Sequence, residues 1–174
     1  MKKTILLSAL VLVLIIACKS SNSTPTNVLT IALEPKSGSS VTGTATFTER
    51  DGEVVLEAKI SGLTPGTHAI HIHEKSDCSS DDATSAGGHW NPTFKKHGKF
   101  GVGEYHKGDI GNFTTDPEGN ATVFFKTNEW CIGCDDETKN ILDKALIVHE
   151  KADDFTTQPT GNAGGRVACA GIIK

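Results

Sequence analysis

The chain has 174 residues, 37% hydrophobic and 22% charged, with 18 glycines and a single methionine. This is the size and composition of one globular domain, long enough to bury a real core. The formal charge is −4 with no basic block, so the electrostatic footprint of nucleic-acid binding is missing.

The N-terminal "MKKTILLSALVLVLIIAC" reads as an export signal. Lys2 and Lys3 precede an apolar run from Ile5 to Ala17, which is too short to span a bilayer. The "IIAC" ending resembles a bacterial lipobox, in which Cys18 is acylated and becomes the new N-terminus; plain secretion is the alternative. Two or more acyl chains anchor stably, at roughly 0.8 kcal/mol per buried CH₂. Loss of residues 1–17 removes two lysines and takes the formal charge from −4 to −6. Residues 18–27 then form the lipidated cysteine and a polar tether rich in Ser and Thr. Residues 28–174 form the domain, expected in a bacterial envelope, lipid-anchored, facing the periplasm or the outside. Of five cysteines, acylation of Cys18 leaves Cys78, Cys131, Cys134 and Cys169, enough for two pairs in an oxidising compartment.

The rest reads as β. Val41, Gly43, Ala45 and Phe47 alternate with polar partners, Asp51-Gly52 marks a hairpin turn, and Val54, Leu56, Ala58 and Ile60 continue one inward face. "NFTTDPEGNATVFF" predicts a second hairpin turning at Asp116 to Gly119. "ALIVH" (Ala145 to His149) and "RVACAGIIK" predict two further strands, and Asp135 to Lys144 is the one stretch with helical potential, for a turn or two. Short strands with turn punctuation argue for an antiparallel sandwich or barrel. Two long segments, about Glu74 to Asp109 and about Glu150 to Arg166, break the pattern, and loops of that length in a compact domain are usually functional or disordered.

"HAIHIHE" alternates histidine with isoleucine. If Ile70 and Ile72 face the core, His71 and His73 face outward side by side, a good spacing for two ligands of one metal. A solvated strand face is the competing reading. His149 ends its strand with Leu146 and Val148 pointing inward, so it too faces outward. The first long segment adds His89, His97, His106 and Asp109. Three imidazoles and a carboxylate suit tetrahedral zinc, and a flatter set of imidazoles suits copper.

"GLTPGTHAIHIHE", "CSSDDATSAGGHWNPTFKKHG", "EYHKGDIGN", "LIVHEKADD" and "GNAGGRVAC" closely resemble the copper/zinc superoxide dismutases, in the family's order, over roughly Val28 to Lys174. The resemblance implies an all-β, eight-stranded antiparallel Greek-key barrel with two long functional loops. It implies conversion of two superoxide anions and two protons to oxygen and hydrogen peroxide, as antioxidant defence. It assigns copper to His71, His73, His89 and His149, and zinc to His89, His97, His106 and Asp109, with His89 as the shared bridge. It makes Asp153 the carboxylate linking His71 and His97, and Arg166 the catalytic-site arginine that attracts the anion. Thr160 falls at a channel-wall position, and His68 at a position that is not a ligand. Cys78 and Cys169 match the family's structural disulfide, and the family allows a homodimer.

Two departures stand out. The segment before Arg166 is shorter than in many relatives and its last charge is Asp154, so that steering of the anion is either weaker or supplied by Lys95, Lys96 or Lys99. "WCIGC" lies outside the common pattern. It is read as a local Cys131–Cys134 disulfide, with an extra thiolate metal site or free thiols as alternatives; no βαβ context supports a thioredoxin-like role. The competing function is a non-catalytic envelope lipoprotein that binds copper and zinc.

Overall fold

The computed structural model describes residues 25–174; the expected export signal, Cys18 and most of the expected tether lie outside the described residues. Eight strands are present: β1 (Asn27–Pro35), β2 (Thr42–Arg50), β3 (Glu53–Ser61), β4 (Thr67–His73), β5 (Gly111–Thr114), β6 (Ala121–Thr127), β7 (Lys144–His149) and β8 (Arg166–Ile172). They form one sheet in the order β5-β4-β7-β8-β1-β2-β3-β6, with every pairing antiparallel. β3 and β4 are consecutive in the chain yet distant in the sheet, which is the Greek-key crossing. The sheet curls until Phe47 and Leu56 from one half share a core with Ile70, Ile72, Leu146 and Val148 from the other.

The alternation read from β2 and β3 is the one observed. Ala45, Phe47, Val54, Leu56 and Ala58 are fully buried, while their neighbours along each strand are partly or fully exposed. The Asp51-Gly52 turn has positive φ at both residues, 52° and 76°, as a two-residue hairpin loop of the primed type requires.

Three expectations need correction. β1 was not among the predicted strands, although its Ile31 and Leu33 point into the core. The Asp116 to Gly119 turn forms, but β5 and β6 do not pair across it. β5 ladders with β4 and β6 with β3, so these strands are the two edges of the sheet. Finally, 135–144 is not helical. The Asp136 carboxylate takes hydrogen bonds from the Thr138 amide (2.9 Å) and hydroxyl (2.6 Å), and Cys131 and Asn140 form a bridge across the segment. Local side-chain bonds of this kind compete with helix. Among the described residues the only helical turn is the 3-10 turn Thr84–Ala86.

β4 and β7 differ from β2 and β3 in being buried on both faces. One face meets the core. The other lies under the two long loops, 74–110 and 150–165, which return their backbone bonds to the barrel. The Ile72 amide donates to Gly108 O (2.9 Å), Trp90 N donates to Ile72 O (2.8 Å), and Ala69 N donates to Lys151 O (2.9 Å). His71, His73 and His149 do point away from the core, but into a loop-covered interior rather than solvent.

Candidate metal centre

β4 supplies His71 and His73 from one face, and neighbouring β7 ends in His149. His89 reaches them because the first loop forms an isolated bridge between His73 and His89. The loop can lie this close only where Gly108 stands, since a Cβ there would sit 2.1 Å from Ile72 O. The result is two groups of candidate ligands: His71, His73, His89 and His149, and His89, His97, His106 and Asp109. In each, one ligand atom per residue falls within 4.8 Å of all the others, every member is buried, and His89 belongs to both.

In most of these residues one polar atom is engaged and another is turned inward. His71 Nε2 is 2.9 Å from Asp153 Oδ2, His97 Nε2 is 2.9 Å from Asp153 Oδ1, and His73 Nδ1 is 3.0 Å from Gly87 O. The opposite atom of His71, Nδ1, and likewise His89 Nε2 and His106 Nδ1, are buried without a hydrogen-bond partner. His73 Nε2 and His149 Nε2 face each other at 3.3 Å. Asp109 places Oδ1 2.8 Å from His89 Nδ1 and Oδ2 3.0 Å from His97 Nδ1, and Oδ2 also accepts from the amides of His106 (2.8 Å) and Gly98 (3.1 Å). Buried polar atoms are almost always satisfied, so several unsatisfied nitrogens converging on two points are the signature of cation sites. The donor sets fit: four imidazoles for copper, three imidazoles and a carboxylate for zinc.

The electrostatics separate the two groups. Burial holds His71 below the ordinary histidine range. His73 and His149 lie well below it through burial and through neighbouring histidines. Burial also brings His89 down to about 4. These rings are neutral at pH 7, with lone pairs free for a metal. His97 is the exception: burial opposes its charge, but Asp109 and Asp153 outweigh burial and raise it to about 9. Burial opposes ionisation of both carboxylates too, yet the imidazoles around them hold Asp109 and Asp153 below the usual carboxylate range.

Asp153 therefore occupies the predicted place between His71 and His97. Sequence reasoning missed what holds it there. Asn112 exchanges two backbone–amide bonds of 2.8 Å with Asp153, and the Phe155 amide donates to Asp153 Oδ1 at 2.7 Å. It also missed the Gln158 amide, which pairs both the N–H and the C=O of His97 at 2.9 Å. His68 has both ring nitrogens against carbonyls, His149 O (3.0 Å) and Thr64 O (2.8 Å), and so takes the structural role expected of it. Thr160 is half-buried in the second loop, next to Gly161.

Arg166 stands across the β7–β8 pairing from His149, and its guanidinium donates to Ala83 O (2.6 Å) and Gly87 O (2.7 Å). The Gly87 carbonyl is thus common to Arg166 and His73. Cys78 and Cys169 form a disulfide that clips the same loop to β8, and Cys131 and Cys134 form the local one.

The family profile described as "Copper/zinc superoxide dismutase (SODC)" matches residues 41–172, which takes in both ligand groups. The chain belongs to the copper/zinc superoxide dismutase family. It is 39% identical over 140 residues to "Superoxide dismutase [Cu-Zn] A" of Xenopus laevis, covering 76% of this chain and 89% of that one. It is 37% identical over 139 residues to "Superoxide dismutase [Cu-Zn] 2" of Aquifex aeolicus, covering 77% and 80%. Among solved structures, the clock protein EA4 superposes with a TM-score of 0.72 at 34% identity, covering 87% of this chain and 97% of that one. A doubly substituted superoxide dismutase-like protein from Bacillus subtilis superposes with a TM-score of 0.75 at 34% identity, covering 83% and 97%. The chain is accordingly an oxidoreductase of the superoxide dismutase type, with copper and zinc as cofactors and superoxide as substrate.

Proposed function

We propose that His71, His73, His89 and His149 hold copper, that His89, His97, His106 and Asp109 hold zinc, and that the site converts two superoxide anions and two protons to oxygen and hydrogen peroxide. The observation that carries this reading is the membership of His89 in both groups. Copper, when bound, supplies one-electron redox chemistry, and zinc supplies a fixed positive charge. His89 Nε2, buried and without a hydrogen-bond partner, takes up a proton as the first superoxide is oxidised to oxygen. It returns that proton as the second superoxide is reduced, and a second proton from water completes hydrogen peroxide. His89 Nδ1 stays on the Asp109 side, so the ring keeps its place through the cycle. Asp153 fixes the tautomers of His71 and His97 by accepting from both. Arg166, anchored to two carbonyls, places its charge beside the anion's point of entry.

The test is metal stoichiometry and dismutation measured together on the protein reconstituted with copper and zinc, beside His89→Ala and Arg166→Ala. One copper and one zinc per chain, with activity weakened in both variants, supports the assignment. Full loading without dismutation would promote the non-catalytic metal-binding lipoprotein instead. The export signal and Cys18 further support a lipid-anchored enzyme of a bacterial envelope, protecting it from superoxide. Metabolic labelling with a fatty acid, lost in Cys18→Ser, checks the anchor. Sedimentation of the soluble domain checks whether it forms a homodimer.

A further inference from the structure

Of the candidate zinc ligands, His106 is the one whose two chain neighbours are both gripped by a single distant side chain. Tyr105 donates its hydroxyl to Glu129 Oε1 at 2.6 Å, and Lys107 donates its ammonium to Glu129 Oε2 at 2.5 Å. The next residue, Trp130, is 1% exposed and donates its indole N–H to the Lys107 carbonyl at 2.9 Å. Both carboxylate oxygens and the adjacent indole are thus spent on the residues flanking His106. The grip is seated on the barrel by a row of rings: Tyr105 on Phe100 (4.7 Å), Phe100 on Phe125 of β6 (4.9 Å), and Phe125 on Trp130 (4.9 Å). Lys95 lies over the outer face of Tyr105. The Cys131–Cys134 disulfide closes the loop that follows immediately in the chain.

We propose that Glu129, with Trp130, is a positioning residue for zinc: it sets where His106 stands relative to His89, His97 and Asp109, and so controls how tightly the site keeps zinc. This rests on the zinc reading of those four residues. His71, His73 and His149 have no share in the grip, so the effect is selective for zinc over copper. The chemistry agrees with the placement. A carboxylate accepts from Tyr105 and Lys107 at once with its charge; an amide at 129 keeps one acceptor, for Lys107, loses the charge from both bonds and reverses the bond to the Tyr105 hydroxyl.

The experiment titrates zinc against a chromophoric chelator in the full chain, with copper affinity measured in parallel, for the parent protein, Glu129→Gln, Glu129→Asp, Tyr105→Phe and Asp109→Ala. Glu129→Gln is expected to weaken zinc about tenfold, the lower end of the range for outer partners of a metal site, with copper affinity unchanged. Glu129→Asp is expected to recover part of the loss. Cobalt(II) placed in the zinc site should show altered visible bands in Glu129→Gln, a readout that a general loss of stability does not move. Tyr105→Phe removes one donor and should give a smaller loss in the same direction. Zinc affinity and cobalt bands unchanged in Glu129→Gln, while Asp109→Ala abolishes zinc binding, would overturn the proposal and leave the zinc reading standing. Zinc binding indifferent to Asp109→Ala would overturn both. Equal loss of zinc and copper would also count against it, as general unfolding.

Discussion

Gly161 holds a position that no other residue can take without cost. Its φ is +67°, and a Cβ there would lie 1.7 Å from Asp153 Oδ1 and 2.6 Å from His97 Nε2. Gly161→Ala must therefore displace the carboxylate that orients His71 and His97, in addition to the backbone strain of a left-handed conformation. We expect a stability loss of more than about 1 kcal/mol and a zinc affinity weakened by about tenfold or more, read by thermal melting and chelator competition. The protonation of His97 gives a second prediction at this scale. Its pKa of about 9 means the metal-free ring carries a proton at pH 7, which zinc must displace. Calorimetric zinc titrations in two buffers of different ionisation enthalpy should show about one proton released per zinc. Copper(II) uptake by the zinc-loaded protein should also release about one proton, from Nε2 of the shared His89, since burial keeps His71, His73 and His149 neutral and they have none to give. The linked stability has a definite sign. A raised folded-state pKa means the His97 contribution is fully present below the ordinary value of 6.5 and is lost as pH rises through about 9 in the metal-free protein.

At the scale of elements, the first loop contributes all four zinc-side ligands, while strands contribute three of the four copper-side ones. What keeps the first loop in place is partly covalent. Cys78–Cys169 closes a sequence separation of 91, for which chain entropy allows roughly 4–5 kcal/mol. Replacing both cysteines by serine should cost on the order of 2–5 kcal/mol in denaturant melts. Dismutation should fall further than stability alone explains, because Arg166 takes its orientation from Ala83 O and Gly87 O in that same loop. The barrel answers to ordinary packing. Leu56 is fully buried beside Phe47 on the neighbouring strand, and Leu56→Ala should cost about 2–5 kcal/mol without changing metal stoichiometry.

For the whole molecule, the question is which charge superoxide meets. The chain carries a net −4, which repels an anion at long range. Arg166 is the cross-strand partner of His149, so its charge stands beside the copper-side ligands, within the Debye length of about 8 Å at physiological salt. Charges beyond that length are largely screened, and Asp82 is close enough for its charge to act on Arg166. Arg166 therefore dominates, and the second-order rate of dismutation should fall as ionic strength rises from 0.1 to 1 M. In Arg166→Ala the rate should drop about tenfold and the salt dependence should flatten or reverse sign. A parent rate that climbs with salt would show that repulsion by the whole molecule wins.

The β pattern, the inward faces of β2 and β3 and the identity of every candidate ligand were legible in the chain, because alternation and imidazole spacing are local properties and side-chain chemistry is carried by the residue itself. β1 was overlooked although its alternation is as regular as that of β2. The supposed β5–β6 hairpin and the helical reading of 135–144 went wrong for a different reason: pairing partners and local side-chain bonds compete with propensity, and the outcome depends on what lies across the sheet. The same holds at the site. Which histidines share a metal could be named by resemblance, but the buried state of rings expected on an outward face, the Gly87 carbonyl joining His73 to Arg166, the Gly161 gap and the Glu129 grip arise from contacts between segments tens of residues apart. Such contacts exist only once the loops have folded back over β4 and β7, where exclusion of water turns polar atoms that would otherwise be solvated into a fixed set of ligands.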